Sequence, residues 1–223
     1  MTPAGRPRPE LRLWHWLGRQ LADPRGRGGT VLGRLMAMVN GAPYRLAIEG
    51  LHPSRRHHVL EIGFGPGAGL AALARLLPDG RVCGIDGSPA MLRLAGRRNR
   101  AAIARGQMRL AQGDARRLPW ANRSFDGVLA VNVAYFFDAE GRAIREIARV
   151  LRPGGRLALY VTDRATMRHW PFAGPDTHAT FDADELGQLL RRGGFPPETV
   201  TVREVLLPLG IRGLVAIAVR PAP

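Results

Sequence analysis

A glycine-rich stretch with one carboxylate is the segment of this sequence best suited to bind a ligand. In "VLEIGFGPGAG", residues 59–69, glycines alternate with other residues directly after an apolar run, and Glu61 stands two positions before the first of them. Glycines between a strand and a helix let a ligand rest against bare backbone at the helix N-terminus. Gly63, Gly65 and Ala68 also satisfy a loose G-x-G-x-x-A pattern, so a dinucleotide such as NAD has to be considered.

Two further carboxylates follow apolar runs. Asp86 ends "RVCGID", where it could accept hydrogen bonds from both ribose hydroxyls of a nucleoside. Asp114 lies in "GDA", where it could accept from an adenine amine while the Ala115 amide donates to a ring nitrogen. Glu61 would repel a pyrophosphate but suits a cationic amino-acid tail. These features favour an adenosyl ligand with a positive charge.

Alternating apolar runs and helical segments predict the framework that positions these groups. This alternation is typical of a parallel sheet covered by helices on both faces. The predicted strands are 58–62, 81–85, 108–112, 127–133 and 156–162, with helices beginning near Ala68, Ser88, Asp138 and Phe181. Ser88 and Asp138 are interpreted as helix caps.

The two ends of the chain differ from this pattern. Near the C-terminus, "TVTVREVLL" and "RGLVAIAVR" are separated only by "PLGI", which predicts an antiparallel hairpin. Helical spacing at 11–21, 31–38 and 43–51 predicts N-terminal helices behind a flexible arm. The expected fold is therefore α/β: a Rossmann-like, seven-stranded, mostly parallel sheet with a C-terminal antiparallel hairpin. Residues 1–52 would form an arm and helical lid, and 53–223 the main domain.

The motifs in their order resemble the class I S-adenosylmethionine (SAM)-dependent methyltransferases, most closely the small-molecule and quinone-biosynthesis branch. The resemblance covers about residues 57–160 through "VLEIGFGPG", "GIDGSPAML", "GDARRLPW", "SFDGVLAVNVAYFF" and "IARVLRPGGRLAL". It implies SAM as methyl donor and no metal. It also implies a set of cofactor-binding residues: Glu61, Gly63, Phe64, Gly65, Gly67, Asp86, Gly87, Met91, Gly113, Asp114, Ala115, Asn132 and Val133. "LRPGG" would close the fifth helix as a turn, and Gly87 stands where the family often has a larger apolar residue.

The methyl acceptor is expected beyond the fourth and fifth strands, beneath the N-terminal helices. An open α/β sheet binds ligands outside its strand C-termini, and SAM would fill the side nearest the first strand. His169 and His178 lie in the long segment after the fifth strand, and histidine exchanges protons near neutral pH. Tyr135 could orient an acceptor. A neutral amine acceptor would need no protein base, whereas a hydroxyl or carbon acceptor would benefit from one.

Composition gives weaker guidance. Arginine alone supplies the 33 basic residues against 18 acidic ones, a net charge of +15 without any run of five basic residues, which favours a solvated surface. One cysteine, Cys83, predicts neither a disulfide framework nor a cysteine-based metal site, and no membrane span is apparent, so we expect a cytoplasmic protein. Nucleic acid is disfavoured as substrate, because "NVAYFF" lacks the D/N-P-P-Y/F signature of amino-methylases. An RNA or protein methyltransferase, a non-catalytic SAM-binding module and a homodimer are left open.

Overall fold

The computed structural model describes residues 41–170 and 179–222, which form a seven-stranded sheet flanked by helices. The strands are β1 (His58–Ile62), β2 (Arg81–Asp86), β3 (Met108–Gln112), β4 (Phe125–Val131), β5 (Leu151–Thr162), β6 (Val200–Leu206) and β7 (Arg212–Val219). The helices are α1 (Gly41–Leu51), α2 (Ala68–Leu76), α3 (Pro89–Arg98), α4 (Arg100–Ala104), α5 (Arg142–Val150), α6 (Arg164–Met167) and α7 (Ala183–Arg192).

The sheet order is β3-β2-β1-β4-β5-β7-β6. Strands β1 to β5 pair in parallel, while β7 pairs antiparallel with both β5 and β6. The predicted fold class and terminal hairpin are confirmed. Since the order reverses between β1 and β4, the ends of these two strands form the crevice in which such sheets bind ligands.

Side chains alternate between the two faces of the sheet and define two cores. Val59, Leu129 and Tyr160 lie on the face that α1 covers, whereas Leu60 and Val128 lie on the face packed against α5 and α7. All five are buried because parallel strands carry helices on both sides. Glu61 follows Val59 at a spacing of two, so its side chain lies on the same face of the sheet, beneath α1.

Several boundaries differ from the sequence prediction, among them the start of β4 at Phe125 instead of 127 and the end of β2 at Asp86 instead of 85. Strand β4 ends at Val131, so Asn132 and Val133 lie just beyond it. Strand β5 begins at Leu151, so "LRPGG" is part of the strand and not a turn; a register shift opposite Phe125 and Gly127 accommodates the insertion. Helix α5 begins only at Arg142, with Gly141 as its N-cap.

Two of the predicted caps behave differently. The Ser88 hydroxyl accepts from the Met91 amide at 3.4 Å, as a conventional N-cap does. Asp138 precedes its helix by four residues but still accepts from the amides of Arg142 and Ala143, at 2.7 and 3.1 Å. Ser88 thus satisfies one first-turn donor of its helix, and Asp138 satisfies two.

The N-terminal helices predicted within residues 1–40 lie outside the described residues; only the third, α1, is described, and it agrees with the prediction. Within residues 41–170 and 179–222, no helix is long and apolar enough to cross a membrane.

Candidate cofactor and acceptor site

Glu61 is a fully buried carboxylate at the end of β1, held from one side only. Its Oε1 accepts a hydrogen bond from the Tyr44 hydroxyl of α1 at 2.8 Å, whereas its Oε2 is buried without a hydrogen-bond partner among the described residues. Burial raises the pKa of Glu61; the Tyr44 hydrogen bond opposes this effect and the negative charge of Asp86 adds to it, so that the pKa is about 8. An unpartnered buried oxygen beside a second carboxylate favours a cationic ligand group.

The alternating glycines of the loop have different roles. A Cβ at Gly67 would lie 2.8 Å from the Ala95 Cβ, and one at Gly69 would lie 2.5 Å from Oε1 of Glu61. A Cβ at Gly63 would lie 2.4 Å from a methyl group of Val133. These three glycines therefore permit close packing within the protein. Only at Gly65, among the four, would a Cβ meet nothing within 4 Å, so this residue has open space for a ligand in front of its backbone.

Asp86 stabilises the glycine loop from the end of β2. Its Oδ2 accepts from the Gly65 amide at 2.9 Å, and its Oδ1 accepts from the Ser88 amide at 2.8 Å. A carboxylate oxygen can accept more than one hydrogen bond, so the hydroxyls of a ribose could donate to this same carboxylate. Asp86 thus fixes Gly65, the glycine with open space, and can bind a ligand placed there.

Asp114 forms an ion pair that the sequence analysis missed. Arg116, two residues later, donates to Oδ2 through its guanidinium at 2.5 Å and to Oδ1 through its backbone amide at 2.8 Å. This guanidinium holds the pKa of Asp114 below its ordinary value. An adenine amine at Asp114 would have to share the carboxylate with Arg116 or displace it. Both side chains are about half exposed, so this rearrangement is not hindered by packing.

The remaining predicted cofactor residues divide between the open edge and the core. Phe64 and Met91 have buried side chains in the core beneath α1, so at Phe64 only the backbone could meet a ligand. Gly87 has room for a side chain, since a Cβ there would meet only the Gly113 carbonyl oxygen, at 3.8 Å. Ala115, after Gly113 and Asp114, is partly buried against the core on the other face of the sheet, which α5 and α7 cover.

Asn132 lies directly after β4 in a left-handed conformation, with φ of 53°. Its amide donates to the Tyr160 carbonyl at 2.8 Å, and its Oδ1 accepts from the Tyr135 hydroxyl at 2.8 Å. The same hydroxyl accepts from the Thr162 amide at 2.6 Å. Non-glycine residues at positive φ persist where surrounding contacts determine them, often at functional sites. Tyr135 therefore positions Asn132 between the ends of β4 and β5.

Of the three candidate catalytic residues, two are described. Burial raises the pKa of the Tyr135 hydroxyl well above its ordinary value, so this phenol does not ionise near neutral pH. His169, just after α6, is exposed, and its Nε2 accepts from the Arg168 Nε at 3.2 Å. His178 lies outside the described residues. No group of three or more histidine, cysteine, aspartate or glutamate side chains within 41–170 and 179–222 is arranged to hold a metal ion.

Sequence reasoning missed Tyr44 and Asn99. Tyr44 shares a helical face with Ala47 and Leu51, both buried, and this spacing indicates that it faces the sheet. Asn99 is buried, and its side-chain amide donates to the carbonyl oxygens of Gly67 and Ala95 at 3.1 and 3.0 Å, which ties the glycine loop to α3. No local signal distinguishes Asn99 from a helix-ending asparagine.

A glycine loop, a buried carboxylate and an acidic strand end at the reversal point of a parallel sheet together define a nucleoside-binding site of the Rossmann-like class. Comparison with known proteins identifies the family. The family described as "Methyltransferase domain" matches residues 60–159. An "O-methyltransferase" of Pyrenophora dematioidea is 32% identical over 172 residues, which are 73% of this chain and 63% of that protein.

A second relative is the Bacillus subtilis "uncharacterized methyltransferase" YdaC, which is 33% identical over 60% of this chain and 72% of its own length. The crystal structure of a SAM-dependent methyltransferase from Thermotoga maritima, described as a possible histamine N-methyltransferase, superposes with a TM-score of 0.65. It is 21% identical and covers 93% of this chain and 99% of that one, which establishes a shared fold. The chain belongs to the class I SAM-dependent methyltransferases.

Proposed function

We propose that this protein transfers a methyl group from SAM to a small-molecule acceptor. The observation that carries the proposal is the unpartnered, buried Oε2 of Glu61 beneath the glycine loop. The ammonium group of a methionine moiety would supply the positive charge that this carboxylate needs to ionise. A pyrophosphate in the same place would instead add negative charge beside Glu61 and Asp86, which disfavours a dinucleotide.

The other predicted contacts are compatible with this ligand. Asp86 would accept from the ribose hydroxyls while keeping its bond to the Gly65 amide, and Gly65 would allow the close approach. Asp114 would accept from the adenine amine once Arg116 moves aside. Gly87 leaves space beside the base. Bound SAM supplies an electrophilic methyl group, and positioning of the acceptor against it provides much of the rate acceleration.

The acceptor would lie beyond β4 and β5, where Asn132 is held by Tyr135. Among the three candidates, His169 is the group we propose to accept a proton, because it is exposed beside the end of β5 and Tyr135 is already engaged by two hydrogen bonds. His178, from the same segment, remains a second candidate. This part of the proposal applies only to acceptors that lose a proton on methylation.

The chain spans 63% and 59% of the lengths of two of the curated O-methyltransferases that it matches, so their whole activities do not transfer directly. The small-molecule acceptor is nevertheless supported by another relative, a "demethylmenaquinone methyltransferase" of Symbiobacterium thermophilum, which is 37% identical over 44% of this chain. A cytoplasmic location is consistent with the free thiol of Cys83, whose pKa is raised by burial.

The test is an incubation of the full chain with SAM and separate panels of phenols, enols and amines, with S-adenosylhomocysteine (SAH) measured by mass spectrometry. Structured RNA and a mixture of proteins serve as competing acceptor panels. We expect SAH to accumulate only with a small molecule. Accumulation with RNA alone would contradict the proposal, and tight SAH binding without turnover on any panel would support a non-catalytic module.

Once an acceptor is known, His169→Ala tests the proposed base. His52→Ala is the matched control, because His52 is also exposed but follows α1 at the opposite edge of the sheet. Turnover should fall in the first variant and not in the second, and SAH affinity should be unchanged in both. Wild-type turnover of His169→Ala across the pH range would remove His169 from the mechanism.

A further inference from the structure

The last residue of β6 and the connection to β7, together called the β6–β7 turn (residues 206–211), expose two large apolar side chains to water. Leu206 is 74% exposed and Leu209 is 98% exposed. Leu209 also has a φ of 64°, a left-handed conformation that is unfavourable for a bulky residue. The turn thus combines an exposed apolar surface with an unfavourable backbone conformation, and neither of these two features stabilises the fold. Such a combination favours a role in binding.

This turn lies at the edge of the sheet that carries the proposed site. Because β7 is antiparallel to both β5 and β6, the end of β6 lies at the same edge as the end of β5. The Asp163 amide, directly after β5, donates to the Arg212 carbonyl at the start of β7 at 3.0 Å. Phe136, 40% exposed, follows β4 at this edge as well.

Two further exposed large apolar residues in the described part of the chain lie at the opposite edge. Leu76, 46% exposed, ends α2, and Ile103, 37% exposed, lies near the end of α4. Helices that cross back from the strand ends finish at the far edge, so these two side chains are remote from the proposed site. They are natural controls for the two leucines.

Arginines lie close to the exposed leucines. Leu206 pairs with Arg212 across the β6–β7 ladder, so their side chains share one face. The Arg212 amide donates to the Thr166 hydroxyl of α6 at 2.9 Å, which places Arg168 of the same segment nearby.

Arg203 on β6 is exposed, as are Arg168 and Arg212, and none of the three forms an ion pair with a carboxylate in the described part of the chain. One exposed acid, Glu204, lies beside them on β6. By strand alternation Arg203 lies on the other face of β6 from Leu206 and Arg212, so the arginines flank the leucines on two sides. An apolar tip flanked by arginines matches the interface of an anionic bilayer, where leucine enters the acyl boundary and arginine meets the headgroups.

We propose that the β6–β7 turn docks on an anionic lipid surface, with Leu206 and Leu209 inserted and Arg168, Arg203 and Arg212 at the headgroups. In combination with the proposed methyl transfer, this docking would turn the acceptor edge of the sheet toward the membrane, so that the acceptor is a small molecule dissolved in lipid. The docking itself does not depend on the methyl transfer.

The experiment is co-sedimentation of the full chain with vesicles of phosphatidylcholine, with or without phosphatidylglycerol. We expect binding to the anionic vesicles, weakening with salt because the arginine contribution is screened. The double variant Leu206→Ser/Leu209→Ser should bind them roughly a hundredfold more weakly, about tenfold for each leucine whose burial in lipid is lost. Leu76→Ser/Ile103→Ser, at the opposite edge, should bind like the wild type.

Three results would overturn the docking proposal: no binding of the wild type to anionic vesicles, equal binding to neutral vesicles, or unchanged binding of the Leu206→Ser/Leu209→Ser variant. Sedimentation velocity on the same variants tests for a protein partner, since loss of self-association without any vesicle binding would assign the turn to a contact between copies of the chain.

SAH titration calorimetry is run in parallel. The double variant should bind SAH like the wild type, and a wild type that fails to bind SAH would count against the methyltransferase proposal and not against docking.

Discussion

Replacement of Glu61 by glutamine should stabilise the ligand-free protein at alkaline pH while removing a ligand-binding group. The buried carboxyl has its pKa raised from 4.5 to about 8, so the folded state holds a proton over a pH range where the unfolded chain has released it. An acid with a raised pKa contributes full stability below its unfolded pKa and loses that contribution as pH rises through the folded value. The wild type should therefore lose stability between about pH 4.5 and pH 8 relative to the variant.

The magnitude follows from the pKa difference. The step from 4.5 to about 8, at about 1.4 kcal/mol for each pKa unit, gives an upper limit of about 5 kcal/mol. Local relaxation around a buried charge reduces this limit, so we expect about 2 to 5 kcal/mol. For a domain of this size that corresponds to a Tm difference of about 5 to 15 °C. Glutamine keeps an oxygen that can accept from the Tyr44 hydroxyl, so the packing beneath α1 should survive.

The assay is urea denaturation of the wild type and Glu61→Gln at a series of pH values from about 5 to 9, with and without SAH. The stability difference should be small near pH 5, grow toward pH 8 and reverse in sign when SAH is present, because only the wild type gains from the ligand. Glu49→Gln is the matched control, since Glu49 is an exposed carboxylate on α1. Parallel stability curves for wild type and Glu61→Gln would show that Glu61 ionises freely in the folded protein and would refute the reasoning.

Three further outcomes are expected from the geometry of the loops. In scanning fluorimetry, Asp86→Ala should abolish most of the thermal shift produced by SAH, because both the acceptor for the ribose and the hydrogen bond to Gly65 are lost. The control Asp79→Ala, which removes an exposed ion pair with Arg55, should leave the shift intact. Gly67→Ala should destabilise the apo protein by about 2 kcal/mol or more, because the added methyl group overpacks against Ala95. Gly65→Ala should cost only about 1 kcal/mol of backbone strain but should weaken SAH binding in calorimetry. Equal effects of the two substitutions would contradict the division of roles among the glycines. Tyr135→Phe should lower the free energy of unfolding, measured by chemical denaturation, by about 1 to 3 kcal/mol, since the buried Thr162 amide loses its partner. A variant as stable as the wild type would show that water replaces the hydroxyl.

The sequence alone determined the sheet and the helices that follow its strands. Regular alternation of apolar runs with helical spacing predicts parallel strands, and "PLGI" is too short for anything but a hairpin. The Ser88 cap also follows from a local rule, because the first-turn donors of a helix depend only on neighbouring residues.

The tertiary structure decided which of these residues has a partner and which is free to bind. Tyr44 meets Glu61 across 17 positions of sequence because α1 packs over the end of β1, and Gly67 is distinguished from Gly65 only by the approach of α3. Tyr135, predicted to orient an acceptor, has its hydroxyl between Asn132 and Thr162 because β4 and β5 are adjacent in the sheet. Such contacts join side chains that are distant along the chain, so their geometry is set by the packing of whole elements and not by any local pattern of residues.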